Sequence, residues 1–588
     1  MKIGSGAKLP GSPPTAFAVR LCQAVVVASL IAGIALRTIA LDAAPPGLHH
    51  DEACNGYDAY SILLTGRDHH GNFLPIAIEA FGDYRPPLFD YSLVPLIAAF
   101  GLKTTVVRLG AALWGSADLV GAVCLAGLML GWPGAAAAAV LGALSPWQLA
   151  FSRFGQEAIT GSAIVTWAMV CFLGWVNWRK PWCLILSAVL LGLSLYSYSV
   201  VKLFTPLIIG LLTILYWREL KQARLKPLIA LGLIAVIAIP QIVLTLQHPA
   251  EMQARYNQMS LFGYMATCPS CQQSAVLASS TTTWAKIENV SANWAGYVSP
   301  SYLFVNGDLG DHWSLLHPRG FGQLLPEQGP LIALALLGIL SARRRRIVIF
   351  LLGWLAIAAI PAALTVPSGA WQPEPGLPTP LVLMDESIPN VPLTPDLLFS
   401  HPESRRDSLA MTPWTVLSAA GFAILLELTA SSIALTTVVA AVLAASTIFS
   451  GARFVRSYFR DYPIQAAPYF QYGIEQAIAE TQKLAIGHEP VVITNKMEMP
   501  YIYVLFFENY PPARFQNEPV RYAPGPPGSS LYASVIHFDN FWFANAQLAY
   551  ARVPQGIIVF PGNEPPLAPP SASIPYPDGT TAYNVLVK

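Results

Sequence analysis

Charged side chains are scarce in this sequence of 588 residues. Asp, Glu, Lys and Arg supply 11% of it, against roughly 25% in an ordinary soluble domain, and hydrophobic residues supply 54%. The scarcity argues against a soluble globular protein and predicts a protein that crosses a membrane several times. Because the formal net charge is only +1, no basic surplus is available to neutralise phosphates, and we expect no nucleic-acid partner.

Cysteine is also rare, with seven in the chain. Four of them lie within apolar runs, at Cys22, Cys124, Cys171 and Cys183. That placement is typical of small buried side chains and argues against a disulfide framework. The remaining close pair is in "CPSC" (268–271), where a local disulfide is favoured over a zinc site because no second such pair completes the ligand set.

Long apolar runs dominate the sequence instead. A helix that spans a membrane needs about 20 mostly apolar residues, and the sequence contains eleven candidate spans. They cover approximately residues 16–41, 105–130, 134–151, 157–177, 182–200, 203–217, 227–246, 327–341, 347–366, 412–429 and 431–450. The sequence therefore predicts an α-helical protein that is embedded in the lipid bilayer.

Lysine and arginine cluster where an alternating topology puts cytoplasmic loops. With the N-terminus inside, the even-numbered spans end in the basic stretches "NWRKPW" (177–182), "RELKQARLK" (218–226) and "SARRRR" (341–346), as the excess of positive charge on cytoplasmic loops requires. The first apolar run can instead be a cleaved signal peptide, which leaves the rest of the topology unchanged. We expect a multi-pass protein of the plasma or inner membrane.

Three long loops and a terminal domain are predicted to be extracytoplasmic. The loops cover 42–104, 247–326 and 367–411, and the first contains "PPLFDYSLVPLIAAFGL", which has the character of a helix on the membrane surface. Beyond residue 450 the hydropathy falls: 472–484 has helical periodicity, and 489–495, 501–507, 532–538, 556–560 and 582–588 have the character of strands. We therefore expect a membrane domain at 1–450 and a small α/β domain at 451–588.

The first external loop concentrates groups that the rest of the chain lacks. Its stretch "GLHHDEACNGYDAY" (47–60) holds two histidines, two adjacent carboxylates and a cysteine, and further carboxylates follow it. By contrast, only Asp118 and Glu427 lie well inside candidate spans. A proton-coupled transporter would keep ionisable groups near the middle of the bilayer. The distribution favours an enzyme that works at the outer membrane surface.

Several stretches resemble a known family. "HHDEACNGYDAYSILLTGRDHHGNFLPIAIEAFGDYRPPLFDYSLVP" (49–95) resembles the first external loop of bacterial relatives of the dolichyl-phosphate-mannose–protein mannosyltransferases and lipid A aminoarabinose transferases. Weaker likenesses lie in "ALSPWQLAFSRFGQEAIT" (143–160), "LSLYSYSVVKLFTPL" (193–207), "ARYNQMSLF" (254–262) and "YFQYGIEQAI" (469–478). The resemblance implies a GT-C fold and an enzyme that transfers a sugar from a polyprenyl-phosphate carrier to a hydroxyl group of a protein, lipid or glycan.

The resemblance also implies that Asp51 is catalytic, and the chemistry agrees. The phosphate is already a stable leaving group, so the enzyme mainly needs a general base for the acceptor hydroxyl and cations for the phosphate. Asp51 would be the base, while Glu52 would orient it or bind the acceptor. His49 and His50 would tune its ionisation or position the acceptor. The plainer alternative is a solvated acidic pair on a loop.

The candidate cations for the phosphate lie in the same loop and at the junctions between spans. Arg85 in "GDYRPPL" matches a basic residue that the family places before two prolines to meet the lipid phosphate, and an Arg fork suits phosphate oxygens; a headgroup contact is the alternative. Arg153 and Glu157 lie four residues apart, which fits either an ion pair between helices or support of the catalytic carboxylate. Lys202 is a further candidate cation, or else extends to the membrane interface.

The chain departs from the family before a late span. Relatives carry a His-x-x-Arg stretch there, whereas this sequence has His401 followed by Arg405 and Arg406 behind a proline-rich insertion. Either arginine can serve the donor phosphate, or this side of the site is remodelled.

Three matters stay open at the level of sequence. The histidines and carboxylates of the first loop suit zinc or manganese, but their spacing alone does not define a divalent metal site. A transporter of polyprenyl-linked glycans and a non-catalytic glycan-binding membrane protein are the alternative functions. Neither the sugar nor the acceptor follows from the residues.

Overall fold

The computed structural model describes residues 16–81, 83–249, 252, 260, 283–308, 315–342, 344–365, 402–487, 489–497, 499–518, 520–522 and 535–588. The predicted third external loop up to His401, the "CPSC" pair and most of "ARYNQMSLF" lie outside the described residues.

The first half of the chain is almost entirely helical. Its helices are α1 (Ala16–Thr38), α2 (His50–Thr65), α3 (Leu88–Phe100), α4 (Thr104–Leu144), α5 (Pro146–Phe151), α6 (Ala158–Trp178), α7 (Pro181–Ser194), α8 (Val201–Leu215), α9 (Trp217–Gln222) and α10 (Lys226–Gln247). A two-stranded antiparallel hairpin, β1 (Ile78–Ala80) and β2 (Asp83–Arg85), lies between α2 and α3.

The second half continues the helices and ends in a sheet. The helices are α11 (Thr283–Tyr297), α12 (Gln328–Leu337), α13 (Arg345–Ala363), α14 (Met411–Thr429), α15 (Ile433–Arg460), α16 (Tyr462–Ala466), α17 (Ile474–Leu484), α18 (Pro500–Phe507), α19 (Pro512–Asn517) and α20 (Ala546–Arg552). Single turns of other helix types lie at Ser301–Asn306 (π), Gly338–Leu340 and Ser408–Ala410 (both 3₁₀). The strands are β3 (Val491–Thr494), β4 (Arg521–Tyr522), β5 (Val535–Phe538), β6 (Phe541–Ala544), β7 (Ile557–Pro561), β8 (Ala572–Pro575) and β9 (Thr581–Val587).

Each of the eleven predicted spans coincides with a described helix. The span 105–130 and the first part of 134–151 form α4, and the end of the latter forms α5. Helix α4 bends at Gly131 (φ 75°, ψ −166°), a backbone conformation that suits glycine. Among the described residues, seven helical segments are long and apolar enough to cross a bilayer: Ala16–Thr38, Thr104–Leu144, Ala158–Trp178, Lys226–Gln247, Arg345–Ala363, Ser408–Thr429 and Ile433–Arg460. Helices α7, α8 and α12 are apolar but shorter.

Apolar side chains on the outer helices face away from the protein. On α15, for example, Leu435, Val438 and Val442 are 49%, 58% and 64% exposed, and large exposed apolar surface on a helix of spanning length is typical of contact with lipid. Together with the helix lengths, this makes the chain a multi-pass membrane protein.

The predicted basic loops meet at one end of the helices. The guanidinium of Arg346 contacts the Glu219 carboxylate at 2.6 Å and lies over the ring of Tyr216. Arg179, from the loop between α6 and α7, is near enough to influence the same Glu219 carboxylate. The loops 177–182, 218–226 and 341–346 are therefore on one face, as the alternating topology requires.

The C-terminal part is an α/β domain around a seven-stranded sheet. The strand order is β4-β5-β6-β3-β7-β9-β8. Strand β3 runs parallel to β6 and β7, and the other neighbouring pairs are antiparallel. Helix α17 packs on β7, β8 and β9, and α20 covers the opposite face through Ala546 and Ala549, which lie against Val492 and Ile558.

One predicted strand is wrong: residues 501–507 form helix α18. Pro500 occupies its first turn, a position where the missing N–H costs nothing, and the residues from Tyr501 to Phe506 are all buried. A continuous apolar run without alternation does not distinguish a strand from a buried helix. Here the burial comes from α2 on one side and α17 on the other.

The predicted boundary at residue 451 falls inside a helix, since α15 continues to Arg460. The domain that follows is in contact with the first external loop. The backbone N–H of Leu48 donates to the Phe470 carbonyl at 2.6 Å, and the Tyr57 hydroxyl donates to the Tyr510 carbonyl at 2.9 Å. The sheet domain therefore packs directly against α2, the helix that carries the acidic pair.

Candidate active site

The His-His-Asp-Glu stretch begins helix α2 with a reciprocal cap. His49 is the N-cap residue, and its ring Nδ1 accepts a hydrogen bond from the backbone N–H of Asp51 at 3.2 Å. The Glu52 carboxylate accepts in turn from the backbone N–H of His49 at 3.1 Å. Caps of this kind satisfy the free N–H groups of a helix start. They also fix the backbone of Asp51 in the first turn of the helix.

Glu52 points the other way, into the protein. Its carboxylate receives Nε and Nη2 of Arg108 at 2.9 Å each, and the backbone N–H of Gly155 at 2.8 Å. Both charged side chains are fully buried, and Arg108 also donates to carbonyls of residues 41, 45 and 47. These contacts favour the predicted orienting role of Glu52 over acceptor binding.

Asp51 is the accessible carboxylate of the pair, with its side chain 24% exposed. Its Oδ2 accepts from the Gln156 amide at 2.9 Å, and Nη1 of Arg405 lies 3.9 Å from the same oxygen. Ring nitrogens of His49 and His50 lie within 3.6 Å of the carboxylate. The ring of His50 also contacts the rings of His49 and Phe81.

The charge around Asp51 keeps it ionised. Burial alone would raise the pKa of this carboxyl, but His50, His49 and Arg405, together with Arg85, outweigh burial and hold the pKa below its usual range. An ionised carboxylate is in the correct form to accept a proton or to coordinate a cation, although a low pKa makes it a weak base.

Arg85 is held by two carboxylates at the end of β2. Its Nη2 donates to Asp58 at 2.9 Å and to Asp90 at 3.2 Å, with Cys54 Sγ at 3.4 Å. Nε is buried without an acceptor among the described residues, and Nη1 likewise has no protein acceptor there. One nitrogen of the guanidinium is thus anchored by carboxylates, and the hydrogen bonds of the described residues leave the other two without an acceptor.

Glu157 is a second carboxylate at the site. It is half-buried at the start of α6. Burial raises the pKa of Glu157, and the negative charge of Asp51 raises it further. The positive charges of Arg85 and Arg405 act in the opposite direction. These influences put Asp51, Arg85, Glu157 and Arg405 around one region.

The two adjacent arginines of the predicted motif have different surroundings. Arg405 bonds the Glu403 carboxylate at 2.9 Å and also approaches Asp51. Arg406 bonds the other oxygen of Glu403 at 2.6 Å and donates to the Thr365 hydroxyl at 2.7 Å. Of the pair, Arg405 is therefore the arginine at the candidate site.

Two predicted site residues lie elsewhere. Arg153 directs its N–H groups to the carbonyls of Leu36, Ile39, Ala40 and Ala44, at 2.7–3.0 Å. Since an Arg has five N–H groups and these contacts use them all, Arg153 fixes the end of α1 and forms no ion pair with the residue four positions on. Lys202 is exposed at the start of α8, where Asp83 is the charged group that acts on it.

Sequence reasoning assigned no individual role to several residues that the fold brings to this region. Asp58, His69 and Asp90 surround the phosphate-binding candidate Arg85, and Gln156 binds Asp51. A usable signal was present for Asp58, because it lies one helical turn from Cys54 and two turns from Asp51 on the same helix.

Two groups of side chains have the chemistry to hold a metal. His49, His50 and Asp51 each offer one ligand atom within 4.8 Å of the others, and two imidazoles with a carboxylate suit zinc or manganese. Cys54, Asp58 and His69 are equally close together. In this second group, however, Nη2 of Arg85 already contacts both the thiol and the carboxylate, so a guanidinium supplies the positive charge.

No protein-family model and no curated protein sequence matches this chain. Solved structures do match. The apo structure of ArnT from Cupriavidus metallidurans superposes with a TM-score of 0.51 and 12% identity, over 96% of this chain and 98% of its own. The chain has the fold of GT-C glycosyltransferases.

Two further solved structures match this chain with similar sequence identities and TM-scores. ArnT bound to undecaprenyl phosphate matches at 11% identity with a TM-score of 0.49, covering 98% of both chains. AglB from Archaeoglobus fulgidus, in complex with an inhibitory peptide and a dolichol-phosphate, matches at 12% identity with a TM-score of 0.49, covering 84% of this chain and 64% of its own. The GT-C likeness to apo ArnT confirms the predicted fold class, including the C-terminal sheet domain.

Proposed function

We propose that this chain is a membrane glycosyltransferase that moves a sugar from a polyprenyl-phosphate carrier to a hydroxyl group at the extracytoplasmic membrane surface. One observation carries the proposal. The exposed carboxylate of Asp51 lies near a guanidinium, Arg85, whose Nε and Nη1 lack protein acceptors in the described ranges. The site is part of the first external loop and contacts the sheet domain. The basic loops, which we assign to the cytoplasm, are in contact with one another at the ends of other helices.

The reaction needs one bond to form as another breaks. The acceptor hydroxyl gives its proton to a carboxylate, and its oxygen attacks the anomeric carbon of the sugar. The bond from that carbon to the phosphate oxygen breaks, and the phosphate keeps the electron pair. Arg85 and Arg405 would stabilise the negative charge on the phosphate, since charge-assisted hydrogen bonds are strongest to ionised acceptors.

Asp51 is our first choice for the general base because its carboxylate is partly exposed, whereas that of Glu52 is fully buried. Glu157 is a second candidate for a specific reason. Burial raises the pKa of Glu157, and a base works best when its pKa is near the working pH. In that case Asp51 would stay ionised and orient the acceptor.

A divalent metal fits the same residues. His49, His50 and Asp51 would hold it, and it would supply a Lewis acid close to the phosphate. With the metal bound, Asp51 would be one of its ligands. Glu157, whose pKa is raised by burial, would then accept the proton.

The test is sugar transfer by the purified protein. Radiolabelled polyprenyl-phosphate sugars are supplied with a membrane extract, and the protein, lipid and glycan fractions are counted. We expect label in one fraction, and we expect Asp51→Asn to lower the rate about 10²–10⁴-fold, as removal of a positioned base does. Asp42→Asn is the matched control, because Asp42 is an exposed carboxylate of the same loop, and it should transfer normally.

Two further measurements separate the roles. Glu157→Gln should cost more than Asp51→Asn if Glu157 is the base, and less if it is not. Chelation should silence the wild type only if a metal takes part. Wild-type turnover by Asp51→Asn with every donor would end the proposal, and a folded wild type that transfers no label would favour a non-catalytic glycan-binding protein.

A further inference from the structure

An unbroken line of hydrogen bonds runs from the sheet domain to Arg85. The hydroxyl of Tyr501, on α18, lies 3.2 Å from Nε2 of His69. Nδ1 of His69 lies 2.7 Å from Oδ1 of Asp58, and Oδ2 of Asp58 accepts from Nη2 of Arg85 at 2.9 Å. All four side chains are buried, with exposed fractions of 8% or less. We call this set the Tyr501–Arg85 relay.

The two oxygens of Asp58 serve different sides of the relay. Asp58 receives both the backbone N–H and the ring of His69 on Oδ1, and Arg85 together with the Cys54 thiol on Oδ2. The ring of Tyr501 is stacked on Phe515, with centroids 6.3 Å apart and planes at 9°, so its hydroxyl is held in place. Side chains of two domains thus meet on the imidazole of His69.

The charges around Arg85 indicate the role of the His69 imidazole. Arg85 carries one positive charge and faces two carboxylates, Asp58 and Asp90. If nothing compensated Asp58, its charge would cancel that of the guanidinium and weaken the attraction for a phosphate. A protonated His69 neutralises Asp58 from its other side. Whatever the state of Asp90, protonation of His69 adds one positive charge to this buried cluster.

We propose that His69 is a positioning residue which, through Asp58, keeps the guanidinium of Arg85 oriented and electrostatically available for the donor phosphate, with Tyr501 of the sheet domain holding the imidazole. The proposal rests on the proposed function and assigns the sheet domain a part in donor binding. Protonation fits the surroundings. Burial and the positive charge of Arg85 lower the pKa of His69. The negative charges of Asp58 and Asp68 outweigh them, so the pKa of His69 is raised.

The groups that face His69 determine the expected pH dependence. They are Asp58, Asp68, His70, Tyr57 and Tyr501, with Arg85 beyond Asp58. Because the pKa of His69 is raised, the favourable charge is fully present below the ordinary histidine pKa and is lost as the pH rises through the raised value. A phosphodiester donor keeps its single negative charge over this interval, so a loss of binding would belong to the protein.

The experiment measures binding of a radiolabelled short-chain polyprenyl-phosphate mannose to the full-length protein between about pH 6 and about pH 9. We expect wild-type affinity to fall with rising pH. His69→Gln should bind about tenfold to a hundredfold more weakly at the acid end, the size of one charge-assisted contact, and should lack most of the pH dependence. Tyr501→Phe keeps the aromatic ring but removes the acceptor for Nε2–H, so the fall in affinity should move to lower pH.

His537→Gln is the control, because His537 is a histidine of the same sheet domain whose ring lies on Trp542 rather than on the relay; its pH profile should match the wild type. His49 and His50 are unchanged in all variants, so their contribution is common to every profile. If His69→Gln kept the wild-type profile and affinity, or if Tyr501→Phe left the profile unmoved, the inference would be wrong while the proposed function stood. If the wild type bound neither this donor nor any other polyprenyl-phosphate sugar at any pH, both would fall.

Discussion

The buried guanidinium of Arg85 is held in place by one of its nitrogen atoms, while the other two have no protein acceptor in the described part of the chain. Nη2 is used by Asp58 and Asp90, while Nε and Nη1 have no acceptor among the described residues. A guanidinium that only contacted lipid headgroups would not need two buried carboxylates behind it. The surroundings fit a cation that is pre-positioned for an anion before the anion arrives.

Replacement of Arg85 tests this directly. Arg85→Ala should raise the apparent KM for the donor about 10-fold to 100-fold, the range of a charge-assisted hydrogen bond, and change the KM for the acceptor far less. Arg85→Lys should recover only part of the loss, since a point charge replaces a planar fork. Initial rates at varied donor and acceptor concentrations give both values.

Because Arg85→Ala also leaves two buried carboxylates without their cation, thermal unfolding of each variant must accompany the kinetics. The lysine variant is the control, since it keeps the charge. Unchanged donor affinity in a folded Arg85→Ala protein would remove this residue from the site.

The residue types at the site were predictable, but not all their partners were. Asp51, Arg85, Glu157 and Arg405 were singled out by local context, and the fold brings them to one region. Arg153 was singled out by its spacing from Glu157, yet its partners are backbone carbonyls near the end of α1, which leave no signature in a sequence. For the same reason the pairing of Glu52 with Arg108, 56 positions away, could not be predicted.

At the scale of elements, the start of α2 is tied to α4 by that pair. Glu52→Gln would leave the Arg108 guanidinium buried without its counter-charge, and loss of one partner of a buried ion pair costs about 3–5 kcal/mol. We expect a lower unfolding midpoint for Glu52→Gln by thermal or denaturant unfolding in detergent. Asp42→Asn, an exposed carboxylate of the same loop, is the control and should leave the midpoint nearly unchanged.

The kinetics of the same variant decide between the two roles predicted for Glu52. An orienting role predicts that kcat falls together with stability. A wild-type midpoint combined with a raised KM for the acceptor alone would instead assign Glu52 to acceptor binding.

Hydropathy predicted the membrane helices because a spanning helix must be apolar over its length, whatever its neighbours are. The same signal failed at 501–507, where the apolar run is buried between α2 and α17 rather than in a sheet. It also gave no sign of α2, whose polar start is a helix because His49 and Glu52 cap it. Elements that depend on tertiary contacts or on caps are the ones that periodicity alone does not resolve.

At the scale of the whole molecule, the helices join two chemically distinct regions. One gathers the basic loops around Arg346 and Glu219. The other carries α2 and the sheet domain, joined by contacts such as that between Gln516 and Ser61 at 3.0 Å. Because the sheet domain is hydrogen-bonded to the first external loop, these two parts must lie on the same side of the membrane.

That arrangement makes sidedness testable with two engineered cysteines. Arg67→Cys, in the first external loop, and Ile486→Cys, in the sheet domain, replace exposed side chains; Ile486 is 92% exposed. Gly56 is unsuitable, because a side chain there would meet Phe506 and Val107 at 2.6 Å. We expect a membrane-impermeant thiol reagent to label both positions on intact cells, because positive charge is retained on the cytoplasmic side.

Lys221→Cys, in a basic loop, is the internal control and should be labelled only after the membrane is permeabilised. The parent for all three variants carries serine at positions 268 and 271, which removes the cysteines predicted to be outside. If Arg67→Cys and Ile486→Cys were labelled from opposite sides, the contact between α2 and the sheet domain would be wrong. If both were protected in intact cells while Lys221→Cys was labelled, the whole protein would be inverted, and the acceptor would have to be sought in the cytoplasm.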